Sequence, residues 1–225
     1  MKYEIISTGS KGNAVVINDR ILIDCGVPFK AIEPYLKKIK LILLTHEHTD
    51  HINTATIKRI AFEKPNIRFA CGKWLARKLL DAGIKAQNID ICRMDGGYTY
   101  GGIIIAPFEL YHDVPNCGWR IMLPDGKRIF YATDTGSLDG IEAKGYDLYF
   151  IEANHTEDEI AEKIAEKQAA GEYAYEVRAA HTHLSKEQAD RFIIENAKAT
   201  SEFIYLHMHS DATTATQSGE NSSGI

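Results

Sequence analysis

Histidine and aspartate residues are concentrated in one short segment of this chain. His46, His48, Asp50 and His51 follow one another in the pattern His-x-His-x-Asp-His. Neutral imidazoles and carboxylates are ordinary ligands of zinc and neighbouring transition metals. These side chains lie so close in the sequence that they cannot all reach one ion without steric conflict. The segment therefore predicts two divalent ions, held side by side.

The elements around this segment predict how it is positioned. Leu41–Leu44 is a short, fully apolar run that suits a strand buried on both faces. Polar ligands at the end of such a strand stand on a rigid support and face a loop. Further strands are predicted at 4–6, 14–17, 21–24, 67–70, 103–105, 108–111, 128–131, 146–151 and 203–206, and helices at 31–38, 53–63, 72–82, 156–170 and 186–199.

The metal-binding segment resembles that of the metallo-β-lactamase superfamily, and the family's other motifs follow in order. Asp24 looks like the family's early aspartate, His112 like its third histidine, Asp134 like its bridging aspartate and His207 like its last histidine. The resemblance covers about residues 1–212, which we expect to form one domain. It implies an α/β (α+β) fold of four layers, αββα, with two mixed β-sheets packed face to face and the helices outside.

The resemblance also implies how the ligands are shared. One site would use His46, His48 and His112, a second would use Asp50, His51 and His207, and Asp134 would bridge both. Asp24 would orient a ligand, because a ligating histidine usually donates its other N–H to a carboxylate or carbonyl. His209 is an alternative to His207, and we favour His207 because it directly follows an apolar strand. Zn²⁺ is the expected metal, with Mn²⁺ or Fe as alternatives.

A closer resemblance is to the WalJ/YycJ branch of this superfamily. The branch signatures are Gly9-Ser10-Lys11-Gly12-Asn13, Asn154-His155 and His183-Leu184-Ser185. They imply a phosphodiesterase or nuclease, similar to a DNA exonuclease, in which a hydroxide bridging the two ions attacks phosphorus.

Catalytic and substrate-binding residues are predicted on the same basis. Histidine has an unperturbed pKa of about 6.5 and can donate a proton at physiological pH, so His155 and His183 are candidates for the catalytic acid. We assign catalytic roles to Asp50, His155 and His183, and substrate contacts to Ser10, Asn13, Asn154 and Ser185. The substrate would be a nucleic acid or a small phosphodiester.

Composition limits the other function classes. The net charge of −5 argues against a broad basic surface for nucleic acid, but it allows a local phosphodiester site. Two alternatives stay open: a hydrolase of thioesters or other small esters at the same metal site, and a metal-binding regulatory domain without catalytic activity.

The remaining sequence features concern location. No stretch approaches the roughly 18 apolar residues of a membrane span, and the run Met1–Ile6 is typical of a strand rather than a signal peptide. The four cysteines show no Cys-x-x-Cys spacing and are predicted to be reduced core residues. We therefore expect a cytoplasmic protein without a membrane partner.

Residues 213–225 are rich in Ser, Thr and Gly and are predicted to be disordered. The sequence leaves the oligomeric state open.

Overall fold

The computed structural model of the chain describes residues 1–208. The predicted tail at 213–225 and the alternative ligand His209 lie outside the described residues. Two six-stranded β-sheets form the centre of the described part.

The first sheet contains the strands that precede and follow the metal-binding segment. Its strands, in both chain and spatial order, are β1 (Tyr3–Ser7), β2 (Ala14–Ile17), β3 (Ile21–Ile23), β4 (Leu41–Leu43), β5 (Arg68–Cys71) and β6 (Ile89–Ile91). The pairs β1–β2 and β2–β3 are antiparallel, whereas β3, β4, β5 and β6 run parallel. Asn18 and Asp19 make the turn between β2 and β3, with φ of 47° and 56°.

The second sheet is formed by the later part of the chain. Its strands are β7 (Tyr98–Tyr100), β8 (Ile103–Leu110), β9 (Asn116–Met122), β10 (Arg128–Ala132), β11 (Leu148–Glu152) and β12 (Glu202–Leu206). They lie in the order β12-β11-β10-β9-β8-β7. The strands from β7 to β10 pair antiparallel, and β10, β11 and β12 pair parallel. Both sheets are therefore mixed, as predicted.

The helices lie at or near the predicted positions, with one addition. They are α1 (Phe29–Leu36), α2 (Thr54–Glu63), α3 (Ala76–Asp81), α4 (Glu157–Ala170), α5 (Glu176–Thr182) and α6 (Lys186–Asn196). The helix predicted over 72–82 is divided into a 3₁₀ turn, Lys73–Leu75, and the shorter α3. Helix α5 has no counterpart in the sequence analysis. No helix within residues 1–208 has both the length and the apolar composition to cross a membrane.

Three apolar clusters hold the layers together. Between the sheets, Ile23 and Leu43 of the first sheet belong to the same buried cluster as Trp119 and Phe150 of the second. The outer face of the first sheet is covered by α1, α2 and α3, through residues such as Ile32, Ile57 and Leu79, and that of the second by α6 through Phe192 and Ile193. This arrangement confirms the αββα sandwich.

Strand β4 both fills the space between the sheets and leads into the metal-binding segment. We expect Leu43→Ala to lower the free energy of unfolding by about 2–5 kcal/mol, because Leu43 is fully buried and truncation leaves a cavity. Urea denaturation measures the change. Ile194→Ala on α6 is the control, since Ile194 is 81% exposed, and an equal loss in both variants would contradict this account of the core.

Candidate metal centre

Four of the predicted metal ligands, and the predicted orienting residue Asp24, stand at the ends of strands. Asp24 follows β3, His46 lies just beyond β4, His112 just beyond β8, Asp134 just beyond β10, and His207 follows β12. Since β3 and β4 are parallel, and β10 and β12 flank β11 in parallel, each sheet presents its carboxyl ends at one edge. The sandwich brings these two edges together, so that residues far apart in the chain meet.

Three of these strand-end residues have an unusual backbone. Asp24, Asp134 and His207 have φ of 58°, 54° and 54°, in the left-handed region that non-glycine residues rarely occupy. Such conformations persist only where the surrounding structure enforces them, and they cluster at functional sites. The sharp turn after each strand is therefore part of how the site is built.

His46, His48 and His112 form the first group of potential ligands. Each histidine has one ring nitrogen that lies within 4.8 Å of a ring nitrogen of each of the other two. His46 Nε2 and His48 Nδ1 are 3.1 Å apart, and His48 Nδ1 and His112 Nε2 are 3.4 Å apart. The three nitrogens face one another, as ligands of a common ion must.

The ring nitrogens that point away from this group are held by other residues. His46 Nδ1 lies 3.1 Å from the Thr45 hydroxyl, and His112 Nδ1 donates to the Thr182 carbonyl of α5 at 3.0 Å. Partners of this kind fix both the tautomer and the ring orientation of metal-binding histidines. The inward nitrogens are thereby left available to a metal.

Asp134 connects the first group to a second. Its Oδ2 lies 2.6 Å from His51 Nε2, and its Oδ1 lies 2.7 Å from His207 Nδ1. Asp134 also belongs with His46 and His51 to a buried group of potential ligands. This central position is the one expected of a bridging carboxylate.

Asp24 and Asn13 surround His51. Asp24 Oδ2 accepts from His51 Nδ1 at 2.7 Å, and Asp24 Oδ1 accepts from the Thr45 backbone N–H at 3.0 Å. The Asn13 amide nitrogen is 2.8 Å from His51 Nε2, and its carbonyl oxygen accepts from Gly9 N at 2.9 Å. Asp24 thus lies beside His51, and its orienting role stays a prediction. Asn13 is buried and positions this loop, so its contact with substrate stays a prediction.

Glu152 belongs to the site but was not predicted to do so. It is fully buried at the end of β11, and its Oε1 lies 2.5 Å from His183 Nδ1 and 3.3 Å from His207 Nδ1. Asp134, Glu152, His183 and His207 form a further group of potential ligands. A glutamate that ends an apolar strand beside another ligand-bearing strand is the sequence signal that could have identified it.

The other predicted residues lie outside these groups. Asp50 Oδ2 is 3.7 Å from His51 Nε2, and Asp50 is not in the groups of potential ligands identified within residues 1–208. His155 lines a small cavity with α4 and α5, and Asn154 donates its amide to the His207 carbonyl at 3.4 Å. Ser185 caps α6 by accepting from Gln188 N, and Ser10 is exposed in its loop. Their catalytic and substrate roles stay predictions.

Electrostatics divides the histidines into two sets. Burial lowers the pKa of His46 strongly and that of His112 to about 4. Both imidazoles are therefore neutral at pH 7, and each can offer the lone pair of a ring nitrogen to a metal ion. Burial opposes a charge on His207 as well, but Asp134 and Glu152 raise its pKa to about 10. These two carboxylates therefore attract positive charge into the interior of the site.

The donor set fits divalent metal ions. Zinc and related metals take imidazole nitrogen and carboxylate oxygen, the atoms that converge here. His207 Nδ1 is buried and makes no well-aligned hydrogen bond within residues 1–208, although Asp134 Oδ1 is 2.7 Å away. A ring nitrogen that binds a metal ion is expected to lack such a bond within the protein.

Comparison with known proteins identifies the family of this chain. Residues 19–208 match the β-lactamase superfamily domain, and the chain belongs to this superfamily. It has 28% identity to the exodeoxyribonuclease WalJ of Streptococcus pneumoniae, over 91% of this chain and 80% of that protein. It has 26% identity to the exodeoxyribonuclease YycJ of Bacillus anthracis, over 69% of this chain and 63% of that protein. Among solved structures, the metallo-β-lactamase fold protein YhfI of Bacillus subtilis is similar, with a TM-score of 0.69 and 18% identity over 92% of this chain and 85% of that one.

Asp134 is expected to be required for full metal loading. Asp134→Ala removes the carboxylate that lies between His51 and His207, so the variant should retain at most one of two bound zinc ions per chain. Equilibrium dialysis followed by elemental analysis measures the stoichiometry. Asp50→Ala in the same assay tests the predicted ligand role of Asp50, and His181→Ala, on the exposed side of α5, is the control. Two ions retained by Asp134→Ala would contradict the bridging role.

Proposed function

We propose that this chain is a metal-dependent phosphodiester hydrolase that degrades DNA as an exonuclease. The observation that supports this most directly is the convergence of inward ring nitrogens on Asp134, which fits two adjacent divalent ions. The relatives named exodeoxyribonuclease support DNA as the substrate. Zn²⁺ is the proposed metal, with Mn²⁺ or Fe as alternatives.

Two ions at this position would provide a water of lowered pKa and neutralise charge on the phosphate oxygens. The chain's own residues would hold them through His46, His48 and His112 on one side, and through His51 and His207 on the other, with Asp134 between. Thr45, Asp24 and the Thr182 carbonyl would keep the imidazoles in position. The protein's contribution is thus a rigid, preorganised ligand set.

His183 is the residue that we propose as proton donor to the departing oxygen. Its side chain is 19% exposed and can meet substrate, while its Nδ1 is held by Glu152 Oε1 at 2.5 Å. Burial opposes a charge on His183, but Glu152 and Asp134 raise the pKa above the ordinary value. The shift favours the protonated imidazole, which is the form that a general acid must have before it acts.

A groove beside the centre provides room for a DNA end. It has a volume of about 340 Å³ and is lined by Trp74, Tyr111 and the ligand His112, among others. Tyr111 is 68% exposed directly before His112. Exposed aromatic rings can stack on the bases of a single strand, which supports binding of an unpaired end here.

We further propose a cytoplasmic location and a single domain over residues 1–212. The four cysteines are free and buried, which is consistent with a reducing compartment. The elements of both sheets contribute to one site, which is consistent with one folding unit.

The first test is degradation of end-labelled single- and double-stranded DNA and RNA by purified protein loaded with Zn²⁺ or Mn²⁺. We expect DNA to be shortened from one end, and no cleavage by Asp134→Ala or after chelation. Hydrolysis of a thioester or small ester without DNA cleavage would replace the proposal with the small-ester alternative. Two bound metals without any turnover would favour the regulatory alternative.

His183 can be tested separately from metal binding. His183→Ala should lower the turnover of DNA by about 10²–10⁴-fold, the range for loss of a positioned general acid. The control is His181→Ala, two positions away on the exposed side of α5, which should cleave DNA at the wild-type rate. Metal content is measured on each sample, because a loss of metal in His183→Ala would assign the residue to metal binding instead.

A further inference from the structure

His48 is the most accessible member of the first ligand group. Its side chain is 36% exposed, compared with 2% for His112. Its Nδ1 faces the group, at 3.1 Å from His46 Nε2. An exposed imidazole can rotate and exchange its tautomer, so this ligand needs a partner for its outer nitrogen more than the buried ligands do.

The carboxylate of Asp113 lies beside the outer nitrogen of His48. Its Oδ1 lies 3.4 Å from His48 Nε2, the ring nitrogen that points away from His46. The other carboxylate oxygen, Oδ2, accepts from the guanidinium of Arg178 on α5. The carboxylate is thus placed between a ligand and a helix that was not predicted from the sequence.

Helix α5 contacts the same ligand group a second time. Its Thr182 carbonyl accepts from His112 Nδ1 at 3.0 Å. The helix therefore reaches His112 directly and His48 through Arg178 and Asp113. Helix α5 is therefore linked to two of the three histidines in the first group of potential ligands.

We propose that Asp113 is a positioning residue for His48, and that Arg178 holds Asp113 in place. The inference rests on the metal centre of the proposed function. In this arrangement His48 Nε2 would donate its proton to Asp113, whose Oδ1 is 3.4 Å away, and Nδ1 would present its lone pair to the ion. Loss of such an outer partner typically weakens metal binding by about 10–100-fold.

A competing role for Asp113 is direct ligation. Its Oδ1 is also 3.1 Å from His112 Nε2, which faces the ligand group. Asp113 is nevertheless outside the set of His46, His48 and His112, whose ligand atoms all lie within 4.8 Å of one another. A positioning residue acts only through His48, whereas a ligand acts without it, and this difference can be measured.

The experiment is a double-mutant cycle on zinc affinity. Metal-free wild type, Asp113→Ala, His48→Ala and the double variant are titrated with Zn²⁺ in competition with a chelating indicator. We expect Asp113→Ala to weaken the first site by about 10–100-fold in the wild type and to have no further effect in His48→Ala. Asp113→Asn should retain part of the affinity, because its amide oxygen can still accept from His48. Arg178→Ala should weaken binding less than Asp113→Ala.

Two controls make the result specific. The melting temperature of each metal-free variant shows whether it folds, and Asp81→Ala removes another Asp–Arg pair, with Arg77 on α3. An unchanged zinc affinity in folded Asp113→Ala would overturn the proposal, as would an equal loss in the His48→Ala background. Absorption of the Co²⁺-substituted protein should change in Asp113→Ala, and an identical spectrum would also count against it. The expected cycle in a protein that cleaves no DNA would support the positioning role while refuting the nuclease proposal.

Discussion

An imidazole can offer a metal the lone pair of one nitrogen only while its other nitrogen carries the proton, and the site depends on how that proton is held. The outer partners are Thr45 for His46, Asp24 for His51 and the Thr182 carbonyl for His112, and the proposed partner for His48 is Asp113. They come from the first sheet, from the second sheet and from α5. Ligand orientation is therefore a property of the whole sandwich, and not of the His-x-His-x-Asp-His segment alone.

The two sheets must pack in one relative position for this to work. Asp134 extends from the second sheet to His51 of the first, and the apolar cluster between the sheets fixes the distance that the carboxylate spans. Left-handed backbone at Asp24, Asp134 and His207 costs conformational energy, of order 1–3 kcal/mol at each residue. That cost is offset by the hydrogen bonds and packing around the strand ends. The strained backbone and the contacts that offset its cost thus lie at the same edge of the sandwich.

The sequence predicts the parts of this site that have short-range signals. Ligands concentrated directly after an apolar run identify β4 and the first motif, and Ser185 followed by Gln188 predicts the start of α6, which the structure confirms. Asp113 and α5 lack such signals, and the position of Glu152 at the end of an apolar strand does not by itself identify its partners. Glu152 meets its partners only because β11 pairs in parallel with both β10 and β12. Helix α5 has only seven residues and is stabilised by tertiary contacts such as that between Arg178 and Asp113, so no periodic pattern reveals it.

His207, the last potential ligand within residues 1–208, is hydrogen-bonded to the residue that follows β1. The backbone N–H of His207 donates to the Thr8 hydroxyl at 2.8 Å, across a sequence separation of 199 residues. During synthesis, His207 is added after all the other ligands described here. A nascent chain therefore cannot assemble the second half of the centre until nearly the whole domain has been translated. The enzyme then becomes active only when its fold is complete, and a chain terminated before His207 would be inactive.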